Sequence, residues 1–401
     1  MDFRFQQTIA IRQATSGKES SSAVSMPYLP DDILLNCLAR VSRLYYPTLS
    51  LVSKRFCSIL ASTELYEIRR LLGSTESCPY LCLTSPGSSK PRWFTLSRGP
   101  APIPNAYSRW FTSCFSPCSK SRTTRNIMVS VPGHSFPPQS RWLPTVVGFS
   151  IYMIGGRIKG EPSSRVFVMD CRSHTWHEAP SMRLARKRPL VSAAGGKIYV
   201  VEGCYCDSAE FMEFFDPKTQ MWEHVPSPGA EIRGSYMLES LAKEGNLYLG
   251  GDKSVVYKPK EDEWDLLGPG MHFGGISDSS CMIDNVRYCY TVGSGSASSR
   301  RLKWYSKERS SWIALKDLEK LPKLPKGNDR VRLENCGGNI LVFWEENVPS
   351  IGSTKKKKIW CAEIAIERRN KEEVYGKVEW CDVVLTVPKS CSFEQFVVAT
   401  V

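Results

Sequence analysis

The chain has 401 residues, a net charge of +13, and apolar and charged fractions of 42% and 23%. These are the proportions of an ordinary globular protein, with length for two or three domains, and they exclude a low-complexity chain. The absence of any run of eighteen apolar residues argues against a helical membrane span.

In chain order, residues 1–25 are Ser-rich, lack a hydrophobic signal core and read as a disordered lead-in. Without a leader, disulfides are not expected. The close cysteine pairs, Cys78/Cys82, Cys114/Cys118 and Cys204/Cys206, do not have zinc-knuckle spacing. The fifteen cysteines are therefore read as free thiols, with no metal and no cofactor. Basic residues are spread, with concentrations at Arg183–Arg188 and Lys355–Lys358. No zinc-finger or RNP-type signature accompanies them, so no specific nucleic acid is expected.

Residues 26–73 are helical in pattern and poor in glycine. Asp31 or Asp32 is expected to cap a first helix with Ile33, Leu34, Cys37, Leu38 and Val41 on its apolar stripe. A second stripe runs through Leu49, Val52, Phe56, Ile59 and Leu60. Ser62 or Thr63 starts a third helix, with Leu65, Ile68, Leu71 and Leu72 facing inward and Gly73 ending it. Three short helices bury little surface, which predicts that a partner completes them.

From residue 78 onward the chain is read as β. Residues 78–98 give two strands of a first blade, and the stretch up to a strand at Thr145–Phe149 is an excursion or a loop. The clearest repeats then span 151–312. Trp176, Trp222, Trp264 and Trp312 recur at intervals of 46, 42 and 48 residues, each following a turn rich in Asp, Pro, Lys, Ser and Glu. Phe215, Tyr257 and Tyr305 stand seven residues before the last three, and Met169 holds that place before Trp176. Short aromatic and β-branched strands at this period predict propeller blades. Inner strands near Tyr80, Tyr152, Tyr199, Tyr248, Tyr288 and Val342 count to six blades of about 54 residues each. The tail SFEQFVVATV is expected to pair with the first blade and close the ring. Lys355–Lys358 is placed at a hairpin tip, as a solvated loop or a nuclear-import signal.

Two resemblances sharpen this reading. IYMIGG followed by a spaced hydrophobic residue and Trp176 resembles the kelch repeat, and Leu29-Pro30-Asp31-Asp32-Ile33-Leu34 with Leu49 to Phe56 resembles an F-box. Together they are similar to the plant F-box/kelch-repeat family, with an F-box over 26–73 and a kelch propeller over 78–401. Phe56 stands where many members carry tryptophan. The implied fold class is mostly β: a six-bladed kelch-type β-propeller preceded by a small three-helix F-box domain. The family role implies a Skp-type adaptor as partner and through it a cullin, with Leu29, Pro30, Ile33, Leu34, Leu49, Val52, Lys54 and Phe56 at or behind that interface. It also implies a non-catalytic substrate receptor of an SCF-type ubiquitin ligase, acting in the cytoplasm and/or nucleus on a target protein. For the target, the loop residues Arg157, Arg183, Arg186, Lys187 and Arg188 suit an acidic determinant. The alternatives are a non-ligase kelch scaffold or a propeller enzyme acting on carbohydrate or a small molecule. No phosphate loop, nucleophile elbow or copper site is found to favour the enzyme.

Overall fold

A computed structural model describes residues 29–85, 88–99, 125–133, 139–140, 142–202, 211–227, 237–251, 253–267, 280–292, 300–306, 308–325, 331–348, 355–370 and 372–401. The lead-in 1–25 lies outside the described residues.

The N-terminal unit has four short α-helices where three were expected: α1 Asp31–Ala39, α2 Tyr46–Leu49, α3 Lys54–Leu60 and α4 Thr63–Leu71. The proposed second helix is broken at 50–53. Ser53 turns to extended backbone, and its hydroxyl accepts from Phe56 N–H, starting α3 afresh. Ser62 caps α4 through Leu65 N–H. The first helix differs from expectation, since Pro30 holds the cap position without a side-chain bond while Asp31 and Asp32 sit in the first turn. There their charges suit the positive helix end. On α4, Leu65, Tyr66 and Arg69 turn inward, whereas Leu71 and Leu72 are exposed rather than buried.

Six four-stranded antiparallel sheets form six blades. Blade 2 runs outward from the axis as Leu143–Val147, Ser150–Ile154, Val166–Asp170 and Thr175–Ala179. Blades 3 to 6 begin at Pro189–Ala194, Met237–Lys243, Ser280–Ile283 and Val331–Cys336 and continue outward in chain order. The strands holding Tyr80, Tyr152, Tyr199, Tyr248, Tyr288 and Val342 are thus second from the axis, not innermost. They are sandwiched on both edges and carry the longest apolar runs, which is why they stand out in sequence. The first strands border the axis and hold small or polar residues such as Ser192 and Ser240, whose hydroxyls meet at 2.8 Å between neighbouring blades.

Blade 1 closes the ring. Its order from the axis is Ser392–Thr400, Ser77–Ser85, Ser88–Gly99 and Arg125–Ser130. The tail pairs along Ser77–Thr84, as its sequence predicts, and reciprocal bonds of 2.8 and 2.9 Å join Glu76 and Val401. Part of the 100–140 stretch is therefore structural: Arg125–Ser130 is the outer strand, and Gln139–Ser140 pairs with Arg157–Ile158 in a small separate sheet.

The seven-residue spacing has a direct cause. Met169, Phe215, Tyr257 and Tyr305 lie opposite Trp176, Trp222, Trp264 and Trp312 across the third and fourth strands. The aromatic pairs Phe215–Trp222, Tyr257–Trp264 and Tyr305–Trp312 have centroids 5.1, 4.9 and 5.4 Å apart. Three of the indoles also reach the blade before them. Trp176, Trp222 and Trp264 donate from Nε1 to the carbonyls of Pro132, Pro180 and Pro226 at 3.3, 2.7 and 2.9 Å. Those prolines follow the outer strand of the preceding blade, so one residue fills its own blade and ties it to its neighbour.

The helices do not wait for another protein to complete their core. Leu34, Leu38, Tyr46, Leu60, Leu65 and Tyr66 share one buried cluster with Cys78, Tyr80, Trp93, Ile151, Met169 and Val401 of the first two blades. Polar bonds fix the seam: Arg43 Nη2 to Cys171 O at 2.8 Å, Tyr66 Oη to Arg172 O at 3.0 Å, and Ser97 Oγ to Leu44 O at 2.9 Å. Arg69, fully buried, donates to the carbonyls of Ala39, Val41 and Ser74 and pairs with Glu76 at 3.2 Å.

Candidate functional site

Propeller topology sorts the connections onto two faces. Turns from first to second and from third to fourth strand fall on the helical side, where Cys171–His174 of blade 2 meets Arg43 and Tyr66. Connections from second to third strand, and from one blade to the next, fall on the opposite face. Two surfaces result, one on the helical unit and one on the far rim.

On the helical unit, large apolar side chains face solvent. Leu51 is 81% exposed, Val52 63%, Ile33 47% and Leu29 41%. Arg55, at the start of α3, pairs with Asp31 at 2.5 Å and also donates to the Leu29 carbonyl, which brings the turn that carries Leu51 and Val52 to the start of α1. Pro30 and Lys54 are exposed too. Of the other residues named from sequence, Leu34 is buried in the core, while Leu49 and Phe56 are half-buried against it. Leu51, Leu71 and Leu72 are exposed as well, and sequence reasoning did not single out Leu51 or expose the other two. Leu51 breaks the helical period because it lies in the turn between α2 and α3.

On the far rim, Arg183, Lys187 and Arg188 are exposed and Arg157 is half-exposed. Arg186 does not belong with them. It is 1% exposed, and its guanidinium meets Glu213 at 3.1 Å and the Phe211 carbonyl at 3.3 Å. Burying the chain of Arg186 beneath the loop leaves no route for a ligand to its charge. The lysine run also moves: Lys356–Arg368 is a strand, and Lys357 is buried with Nζ 2.6 Å from Glu345.

A cavity of about 690 Å³ opens where the helices meet the propeller, lined in part by Arg43, Tyr46, Tyr66, Glu76, His174 and Trp380. Its imidazole and thiols are shifted toward their neutral forms. Burial, with the Arg43 cation adding to it, lowers His174 to about 4, while burial raises the thiols of Cys78 and Cys171. A neutral thiol is a weak nucleophile. Among the described residues, the cysteines are all unpaired and no group of three His, Cys, Asp or Glu side chains is placed to hold a metal.

The chain matches the F-box domain model over residues 26–68 and the model described as FKB95, Kelch-repeats domain, over 110–385. A putative F-box/kelch-repeat protein of Arabidopsis thaliana is 55% identical over 398 residues, covering 95% of this chain and 98% of its own. A second from the same plant is 53% identical over 388 residues, with coverages of 94% and 99%. A third, an F-box/kelch-repeat protein, is 44% identical over 375 residues and 92% of both chains. The strands at Ser77–Gly99 and Ser392–Thr400 lie outside the kelch model's span, although they build blade 1.

Proposed function

The chain belongs to the F-box/kelch-repeat family, and from that premise we propose that it is the target-receiving subunit of an SCF-type (Skp–cullin–F-box) ubiquitin ligase. The observation that carries this reading is the exposed apolar side of the helical unit, formed by Leu29, Ile33, Leu51 and Val52. Exposed apolar side chains gathered on one side are an interaction surface. These are not needed for the unit's own core, which the propeller completes. In this role the apolar side takes a Skp-type adaptor and through it a cullin. The rim on the opposite face holds the target, so the two partners do not compete for space. In this role transfer is left to a separate ubiquitin-conjugating enzyme.

The test is capture of a purified Skp-type adaptor by the full chain and by an Ile33→Asp/Val52→Asp variant. The variant is expected to weaken capture at least roughly tenfold, because each charge meets an apolar partner surface. Its melting temperature should hold, since both positions are solvent-exposed. Equal capture by the variant, or none by the intact chain, would leave a kelch scaffold that serves another purpose.

A further inference from the structure

The rim beside blades 2 and 3 carries a charged platform whose ligand class the receptor reading leaves open. Two connections build it, residues 155–163 within blade 2 and residues 180–188 between blades 2 and 3. They are stitched together through their main chains. Gly156 N–H donates to Arg186 O at 2.8 Å, Arg186 N–H to Ser163 O at 3.1 Å, and Met182 N–H to Ser164 O at 2.8 Å. Gly155 adopts φ +63°, and a Cβ there would stand 3.0 Å from the Arg186 carbonyl oxygen, so the close approach requires glycine. Underneath, Glu213 takes Arg186 through one oxygen and the Arg183 N–H, at 2.9 Å, through the other. The backbone that carries the outward side chains is therefore fixed before anything binds, which lowers the ordering cost of binding.

Outward from this base point Lys159, Arg183, Lys187 and Arg188, with Arg157 at the edge. None of the five forms an ion pair among the described residues. Within the two connections the sole carboxylate is Glu161. Two described acids close by are engaged elsewhere: Glu178 holds Arg165 at 2.6 Å, and Glu213 is buried against Arg186. Like charges on a rigid base repel one another, and an elongated anion relieves several of them at once. Neither connection contains an aromatic residue on which a nucleobase could stack, which favours a peptide over nucleic acid.

We propose that this platform binds a peptide segment carrying several negative charges, from Asp and Glu or from phosphorylated side chains. The inference rests on the receptor reading only in treating that segment as part of a target. The test uses the full chain and short fluorescent peptides of alternating Glu and Gly, their phosphoserine and lysine counterparts, and a single-stranded oligonucleotide. Both kinds of acidic peptide would support the proposal, and whichever binds more tightly identifies the source of the charge. Arg183→Glu/Lys187→Glu/Arg188→Glu should weaken acidic-peptide binding roughly tenfold or more at low salt. The corresponding triple Gln variant should show a smaller loss, and both should melt with the parent chain. Undiminished binding by the Glu variant, no preference for acidic over lysine peptides, or tighter binding of the oligonucleotide would overturn it. Adaptor capture is measured in parallel. A parent chain that binds acidic peptide but not adaptor would sink the receptor reading and leave this one standing.

Discussion

The ion pair between Arg186 and Glu213 illustrates how a basic residue changes meaning with burial. In sequence, Arg183, Arg186, Lys187 and Arg188 form one basic run, and nothing in their spacing separates the strut from its neighbours. The distinction comes from Glu213, which lies on the third strand of blade 3. Replacing Arg186 by Met strands a buried carboxylate, and the expected cost is about 3–5 kcal/mol. Removing the charge on both sides, in Arg186→Met/Glu213→Gln, should recover much of that loss. Denaturant unfolding of the two single variants and the double one measures the coupling. Additive losses would mean that the pair does not act as a unit.

Among elements, the closing strand is the most exposed to test. Ser392–Thr400 contributes Phe396, Val397 and Ala399 to buried clusters, and Phe396 packs on Phe343 of blade 6 with centroids 4.1 Å apart. Each large side chain is worth about 1.5–3 kcal/mol of burial. A chain lacking residues 392–401 loses several such terms together with a full edge of main-chain bonds, against a total stability of about 5–15 kcal/mol. It is expected to lose its cooperative melting transition, and a melting curve matching that of the full chain would refute the closure role. This strand was legible in sequence because an amphipathic tail needs an edge to pair with. The blade count and the paired tryptophans were legible for a similar reason, since a cross-strand pair fixes a spacing. The innermost strands were not, because residues lining an axis, such as those of Pro189–Ala194, lack a strong apolar signature. Nor was the split of the second helix, where Ser53 starts a new cap inside an apparently continuous stripe. For the candidate surfaces, the order of motif residues marked the helical unit, but side-chain direction was decided by packing against the propeller.

For the whole molecule, the seam between helices and ring is the feature that makes one body of two families of structure. His174 sits in that seam, 3.0 Å from the Tyr80 hydroxyl, in a turn where its φ is +56°. Its folded pKa, about 4, lies below the ordinary value of 6.5. Between these values the unfolded chain binds the proton and the folded one does not. The contribution to stability is therefore complete above pH 6.5 and is lost as pH falls towards 4. Asn keeps polarity, tolerates the left-handed backbone and does not titrate. His174→Asn should flatten the pH dependence of the melting temperature in that window, and an unchanged slope would assign it to other groups. The pairing of Ser392–Thr400 with Ser77–Ser85 has a further consequence during synthesis. At ribosomal rates of about 5–20 residues per second, the partner strand is made roughly 15–60 s after the strand it must join. Until then blade 1 and the seam packed on it remain unfinished, and a chain stopped early by even its final strand leaves an open edge for quality control to find. Closure of the ring thus waits on a strand made long after its partner.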